Sequence, residues 1–137
     1  MKDLMINIFQ IAGVVFLRFR PVSRIWAIWL VAVNMACLAF IQHLEAQVVF
    51  ATTGLALVIQ ALIHSRTGFT RLLGVSHLLW IPMFAWLATR LDTIAMNPDL
   101  QLWLALVFAT NVVSFLIDTV DVTRFWAGER DPHYSWS

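Results

Sequence analysis

Charged residues divide this chain into long uncharged stretches. Between Arg24 and Glu45 lie 20 residues without a charge, and between Glu45 and Arg66 another 20. Arg71 and Arg90 enclose 18 more, as do Asp99 and Asp118. An α-helix rises 1.5 Å per residue and the hydrocarbon core of a bilayer is about 30 Å thick, so roughly 20 residues cross it. The windows predict four transmembrane helices, near 24–43, 46–65, 71–91 and 99–125. A membrane β-barrel would need short alternating strands, whereas these runs are continuously apolar.

The first 20 residues follow another pattern. The apolar run Leu4–Leu17 holds 14 residues, too short to span comfortably. Asp3, Asn7 and Gln10 recur on one helical face, and Leu4, Ile8, Ile11 and Val15 on another. This predicts an amphipathic helix over 1–20, lying on the membrane surface before the chain turns inward at Pro21.

Composition agrees. Of 137 residues, 61% are hydrophobic and 12% charged, against roughly 25% charged in an average soluble domain. A chain this short cannot hide such an excess from water, which excludes a soluble monomer, and the same figures exclude disorder. The fold class is therefore an all-α integral membrane protein, an up-down bundle of four transmembrane helices in one domain, because short connections force antiparallel neighbours. The lone cysteine, Cys37, excludes an internal disulfide and sits in an apolar run as a small hydrophobe.

The net charge of +1 says little, but its distribution orients the bundle. Lys2, Arg18, Arg20, Arg24, Arg66, Arg71, Arg124 and Arg130 fall on one side, and Arg90 alone on the other. Eight against one places both termini in the cytoplasm of a multi-pass inner-membrane protein. Trp26, Trp29 and Trp126 are then expected near the inner interface, Trp86 and Trp103 near the outer one. Residues Ser65 to Thr70, with Thr67-Gly68, form an inner turn. His43-Leu44-Glu45 form a solvated outer turn, and Asp99 is expected to cap the last helix. Residues 126–137 read as a polar cytoplasmic tail without fixed structure, with Tyr134 and Trp136 available to a partner.

Polar residues inside a membrane mark the bundle interior, because an unsatisfied polar group in lipid costs several kcal/mol. Asn111, Ser114, Asp118 and Asp121 form a stripe on the fourth span. Thr53, Gln60 and His64 mark the second, Asn34 the first, and Ser76 and His77 the third. His77 lies six residues past Arg71 and Asp118 six before Arg124, so both sit about 9 Å inward. This matched depth singles out the pair. It admits a titratable site near neutral pH, an interhelical hydrogen bond, or an Asp118 that reaches a snorkelling Arg71 or Arg24 instead. Asp121 is expected to pair locally with Arg124, and His64 to be solvated. Asn34, Asn111 and Gln60 read as interhelical hydrogen-bond donors and acceptors, and Pro82 predicts a kink one turn beyond His77.

Three functional classes fit this pattern. One is a proton- or ion-linked channel or transporter with a cytoplasm-facing site of His77, Asp118, Asp121, His64, Gln60, Asn111, Ser114 and Asn34. The second is a non-catalytic subunit or assembly factor of a larger membrane complex. The third is a metal or haem protein built on His64, His77, Asp118 and Asp121. No nucleophile with a base and an orienting partner is visible, and no phosphate-binding glycine loop, so catalysis is not expected. The basic residues flank spans rather than forming a soluble patch, which argues against nucleic acid. Ala32, Ala36, Ala39 and Gly54 offer close helix contacts within the chain or in a homo-oligomer.

Overall fold

A computed structural model of the chain describes residues 1–131; Pro132 to Ser137, with His133, Tyr134 and Trp136, lie outside the described residues. Helix α1 (Lys2–Gly13) ends in a wide π turn, Val14–Arg18. Helix α2 (Pro21–Met35) tightens into a 3-10 turn, Ala36–Phe40, and α3 covers Leu44–Thr67. A 3-10 segment, Arg71–Leu79, leads into α4 (Trp80–Ala88); a short α5 (Leu91–Ala95) and a long α6 (Pro98–Trp126) follow. Pro21–Phe40, Leu44–Thr67, Arg71–Ala88 and Pro98–Trp126 are each long and apolar enough to cross a bilayer. Each contains most of one charge-free window, and the last runs on past Asp118 to Trp126. The chain is a small polytopic α-helical protein of membrane type, a four-helix bundle with a short N-terminal helix.

The boundaries have local causes. Pro21 and Pro98 open α2 and α6 at positions where a missing N–H costs nothing. Asn97, and not Asp99, caps α6: its side chain accepts from Leu100 N at 3.2 Å, which leaves Asp99 in the first turn. Helix α3 stops at Gly68, whose φ of 71° lies in the left-handed region that favours glycine.

The third span departs most from expectation. Its irregularity lies upstream of Pro82. Nine residues, Arg71–Leu79, run as 3-10 helix, far longer than such pieces usually are. Pro82 then falls in the first turn of α4, where its ring and missing N–H are easily tolerated.

The two ends of the bundle differ in density. The buried core gathers Cys37, Ala46, Val49, Met83, Leu87, Ile94, Trp103 and Leu104, near the end that carries Arg90. There Glu45, only 3% exposed, pairs with Arg90 Nε at 2.8 Å, and the Arg90 guanidinium lies 5.0 Å above the Trp86 ring. The expected solvated turn is thus a buried ion pair: Glu45 falls in the first turn of α3 and faces the loop that carries Arg90. Trp103 is no belt residue either; it is buried, donates to Val33 O at 2.8 Å and stacks on Phe40. The other end, carrying Arg20, Arg24, Arg66, Arg71 and Arg124, is hollow.

Helix α1 packs along α3 with Ile11 and Val14 buried. Asn7, expected to face water with Asp3, turns instead to α3, while Phe9, Phe16 and Leu17 are exposed. The apolar outer face needs lipid or protein against it, so the polar Asn7 finds its partner within the fold. Ala32, Ala39 and Gly54 are exposed, and nothing lies within 4 Å of a Cβ placed on Gly54. Those small residues therefore make no close helix contact within the chain.

Candidate functional site

The hollow end contains a cavity of about 960 Å³ bounded by α1, α2, α3, the 3-10 segment and α6. This is the upper end of the size range of small-molecule sites. Arg20, Thr70, Arg71 and Asp121 line it at the basic end, and Leu30, Met35, Thr53 and Trp80 line it farther in. His77, Gln60 and Asp118 stand between.

The 3-10 geometry creates the site. With three residues per turn, side chains at every third position eclipse. Arg71, Gly74, His77 and Trp80 therefore form a single row, which an α-helix would fan over half its circumference. This row faces α6. Gly74 lets the two elements close: a Cβ added there would stand 2.8 Å from Asp118 Cβ. With that contact made, His77 Nδ1 meets Asp118 Oδ2 at 2.5 Å. On the far side of the ring, Gln60 Nε2 donates to His77 Nε2 at 3.1 Å. The Trp80 indole stacks on the imidazole at 4.0 Å between centroids, 7° from parallel.

These contacts suit one tautomer of the ring. An amide nitrogen only donates, so Nε2 is the bare acceptor and the ring proton sits on Nδ1, donated to the Asp118 carboxylate. A further proton converts the ring to imidazolium, and rotating the Gln60 amide then presents Oε1 as the acceptor. The Trp80 face beside the ring suits the cationic form. Side chains of His77 and Asp118 are 15% and 19% exposed, so the cavity reaches both.

Asp121 binds Arg71 across the bundle rather than Arg124 on its own helix. Arg71 is first in the eclipsed row and so reaches α6 one turn from Asp118. Arg124 is occupied: Gly128, at φ 119°, reverses the chain and brings Glu129 Oε1 to 3.0 Å from Arg124 Nε. Glu129 Oε2 also lies 3.4 Å from Arg71 Nε. Arg130 returns over the Phe125 and Trp126 rings, so the start of the tail is folded back, contrary to expectation.

The remaining polar residues fasten helices together. Asn34 and Asn111, both fully or nearly buried, exchange two amide hydrogen bonds of 2.8 and 3.1 Å. Trp26 donates to Ser114 Oγ and Trp29 to Thr110 Oγ1, so these indoles clasp α2 to α6. His64, expected in solvent, is half-buried and its Nδ1 lies 2.6 Å from Asn7 Oδ1. Of the eight residues singled out from sequence, His77, Asp118 and Gln60 come together. Asp121 lies beside them through Arg71, Asn34 and Asn111 pair deeper, Ser114 holds Trp26, and His64 is drawn away to α1. Of the four residues expected as metal ligands only His77 and Asp118 meet; His64 is held by Asn7 and Asp121 by Arg71. Among the described residues, no group of three or more His, Cys, Asp or Glu side chains is placed to hold a metal ion.

Sequence reasoning weighed Arg71 only as an alternative partner of Asp118 and gave Gly74 and Trp80 no fixed role. These residues share the three-residue spacing Arg71-x-x-Gly74-x-x-His77-x-x-Trp80, which the 3-10 period turns into one row. No protein-family model, curated protein or solved structure matches this chain, so the chemistry rests on its own residues.

Proposed function

We propose that this chain is a small proton-linked carrier of the inner membrane, with both termini in the cytoplasm and α1 at the inner interface. Its protonatable element is His77–Asp118, reached from the cytoplasmic side through the cavity. The observation that carries this is one imidazole held between a carboxylate and an amide, on a large cavity within a membrane-type bundle.

The charge balance explains how a proton acts there. With neutral His77 and ionised Asp118, the pair carries one net negative charge. Taking up a proton neutralises the pair as a whole. A buried net charge is costly in a low-dielectric interior, so the two states favour different surroundings. The 3-10 segment is the element able to respond. Relaxing from 120° to 100° per residue over six residues turns His77 by roughly 120° relative to Arg71, away from Asp118. The eight-to-one distribution of basic residues supports the orientation.

The test is proton flux in liposomes loaded with a pH-sensitive dye. Wild type conducts protons when a gradient is imposed; Asp118→Asn and His77→Ala, while still folded, abolish the flux. Flux that survives both substitutions refutes the proposal.

A further inference from the structure

The lining of the cavity changes character along its length, and this selects a ligand. At the basic end Arg20 is exposed, and no carboxylate among the described residues pairs with it. Of the two lining carboxylates, Asp121 is committed to Arg71 and Asp118 to His77. Two helical elements also begin there, α2 after Arg20 and the 3-10 segment after Thr70, and no side chain caps either start. Free N–H groups and the positive ends of helix dipoles therefore add to the Arg20 charge. Arg71 Nε is buried and has no hydrogen-bond acceptor, since Glu129 lies at ion-pair distance but out of line.

Deeper in, the wall is apolar: Leu30, Met35, Ala56 and Val113 supply hydrocarbon. The three polar residues at that depth are satisfied elsewhere. Asn34 is bonded to Asn111, Thr53 donates to Val49 O, and Ser114 accepts from Trp26. From Pro21 to Met35 the α2 wall rises about 21 Å. One leaflet's hydrocarbon is about 15 Å thick, so the apolar part has room for an extended alkyl chain.

We propose that the cavity binds an anionic amphiphile, a carboxylate or phosphate head on an apolar chain. The head lies at Arg20 and the helix starts beside it, and the chain lies between α2 and α3. This deepens the carrier reading, on which it rests: His77–Asp118 faces the bound molecule just below its head, so a proton and an anion share one cavity.

The test uses the full chain in mild detergent and tryptophan quenching by chain-brominated ligands, because Trp26 and Trp80 line the cavity. Brominated palmitate quenches saturably, and unbrominated palmitate reverses the quenching. A brominated alkyltrimethylammonium of equal chain length binds at least about tenfold more weakly. Arg20→Gln weakens palmitate about tenfold and leaves the ammonium compound unchanged. Ala27→Phe and, on the opposite wall, Leu57→Trp fill the cavity and remove the saturable component; two variants guard against one misfolding. Displacement by phosphatidate in preference to palmitate assigns the head to a membrane lipid, and the reverse assigns it to a free acid. Equal affinity for the two head charges, or saturable quenching untouched by both filling substitutions, overturns the proposal. So does absence of saturable quenching in wild type, which leaves the cavity to another occupant such as a second copy of the chain. The carrier reading fails separately: unaltered flux in Asp118→Asn refutes it even where palmitate binds as described.

Discussion

Replacing Gly74 with alanine probes the contact on which the site depends. The new Cβ would stand 2.8 Å from Asp118 Cβ, 3.0 Å from Oδ1 and 3.1 Å from Cγ. Carbon atoms in contact prefer about 3.5–4.0 Å, so one element must retreat by roughly 0.7 Å or more. The nearest atom is a Cβ fixed to the α6 backbone, and rotating the side chain cannot remove it. Such overpacking costs about 1–3 kcal/mol. Alanine recovers about 1 kcal/mol through its better helix propensity, leaving a net loss of about 1 kcal/mol. Gly54→Ala is the matched control, because nothing lies within 4 Å of its added methyl. That substitution gains about 0.5–1 kcal/mol. Thermal unfolding of both variants in one detergent gives opposite shifts in Tm. A Gly74→Ala protein as stable as Gly54→Ala would refute the close packing of the 3-10 segment on α6.

Asn34→Leu alone leaves the Asn111 amide buried and unpaired and lowers stability by about 1–3 kcal/mol, whereas Asn34→Leu with Asn111→Leu returns toward wild type in the same unfolding assay. Replacing Arg90 with glutamine strands the buried Glu45 carboxylate and destabilises the chain; adding Glu45→Gln restores most of the loss, as measured in a double-mutant cycle. For topology, cysteines placed at the exposed positions Gln42 and Ala95 react with an impermeant thiol reagent added outside intact cells, and one at Gly128 does not; the native Cys37, fully buried, stays silent.

The spans were legible because a membrane forbids unpaired charge over its whole thickness, so Arg24, Glu45, Arg66, Arg71, Arg90, Asp99 and Asp118 punctuate the chain at the right intervals. The meeting of His77 with Asp118 followed from counting residues inward from Arg71 and Arg124. The count treated the third span as α-helix, yet at 2.0 Å per residue His77 lies about 12 Å from Arg71. The partners meet because Gly74, one turn before His77, sets the 3-10 segment directly against Asp118. Helix type itself was hidden: the apolar residues of Arg71–Leu79 suit either period, and tertiary contact with α6 decides. Partner choice was hidden too. Asp121 and Arg124 stand at helical spacing, but Gly128 gives Arg124 to Glu129. His64 and Asn7 lie 57 positions apart, and only the docking of α1 on α3 brings them together. Tryptophans assigned to interfaces by their position along the spans are donors to Ser114, Thr110 and Val33 O, because an indole N–H inside a bundle takes an acceptor within reach.

The most direct measurement is the nitrogen-15 spectrum of His77 in histidine-labelled protein reconstituted in bilayers, followed from alkaline to acidic pH. The His77 signals are identified by their loss in His77→Ala. The expected spectrum is that of a ring protonated at Nδ1 alone under alkaline conditions, with Nε2 bare toward Gln60, converting to a doubly protonated ring on acidification. In Asp118→Asn the fixed Nδ1–H tautomer is lost, as the pairing of the two residues requires. A ring protonated at Nε2, or one that keeps a single state throughout in wild type, would contradict it.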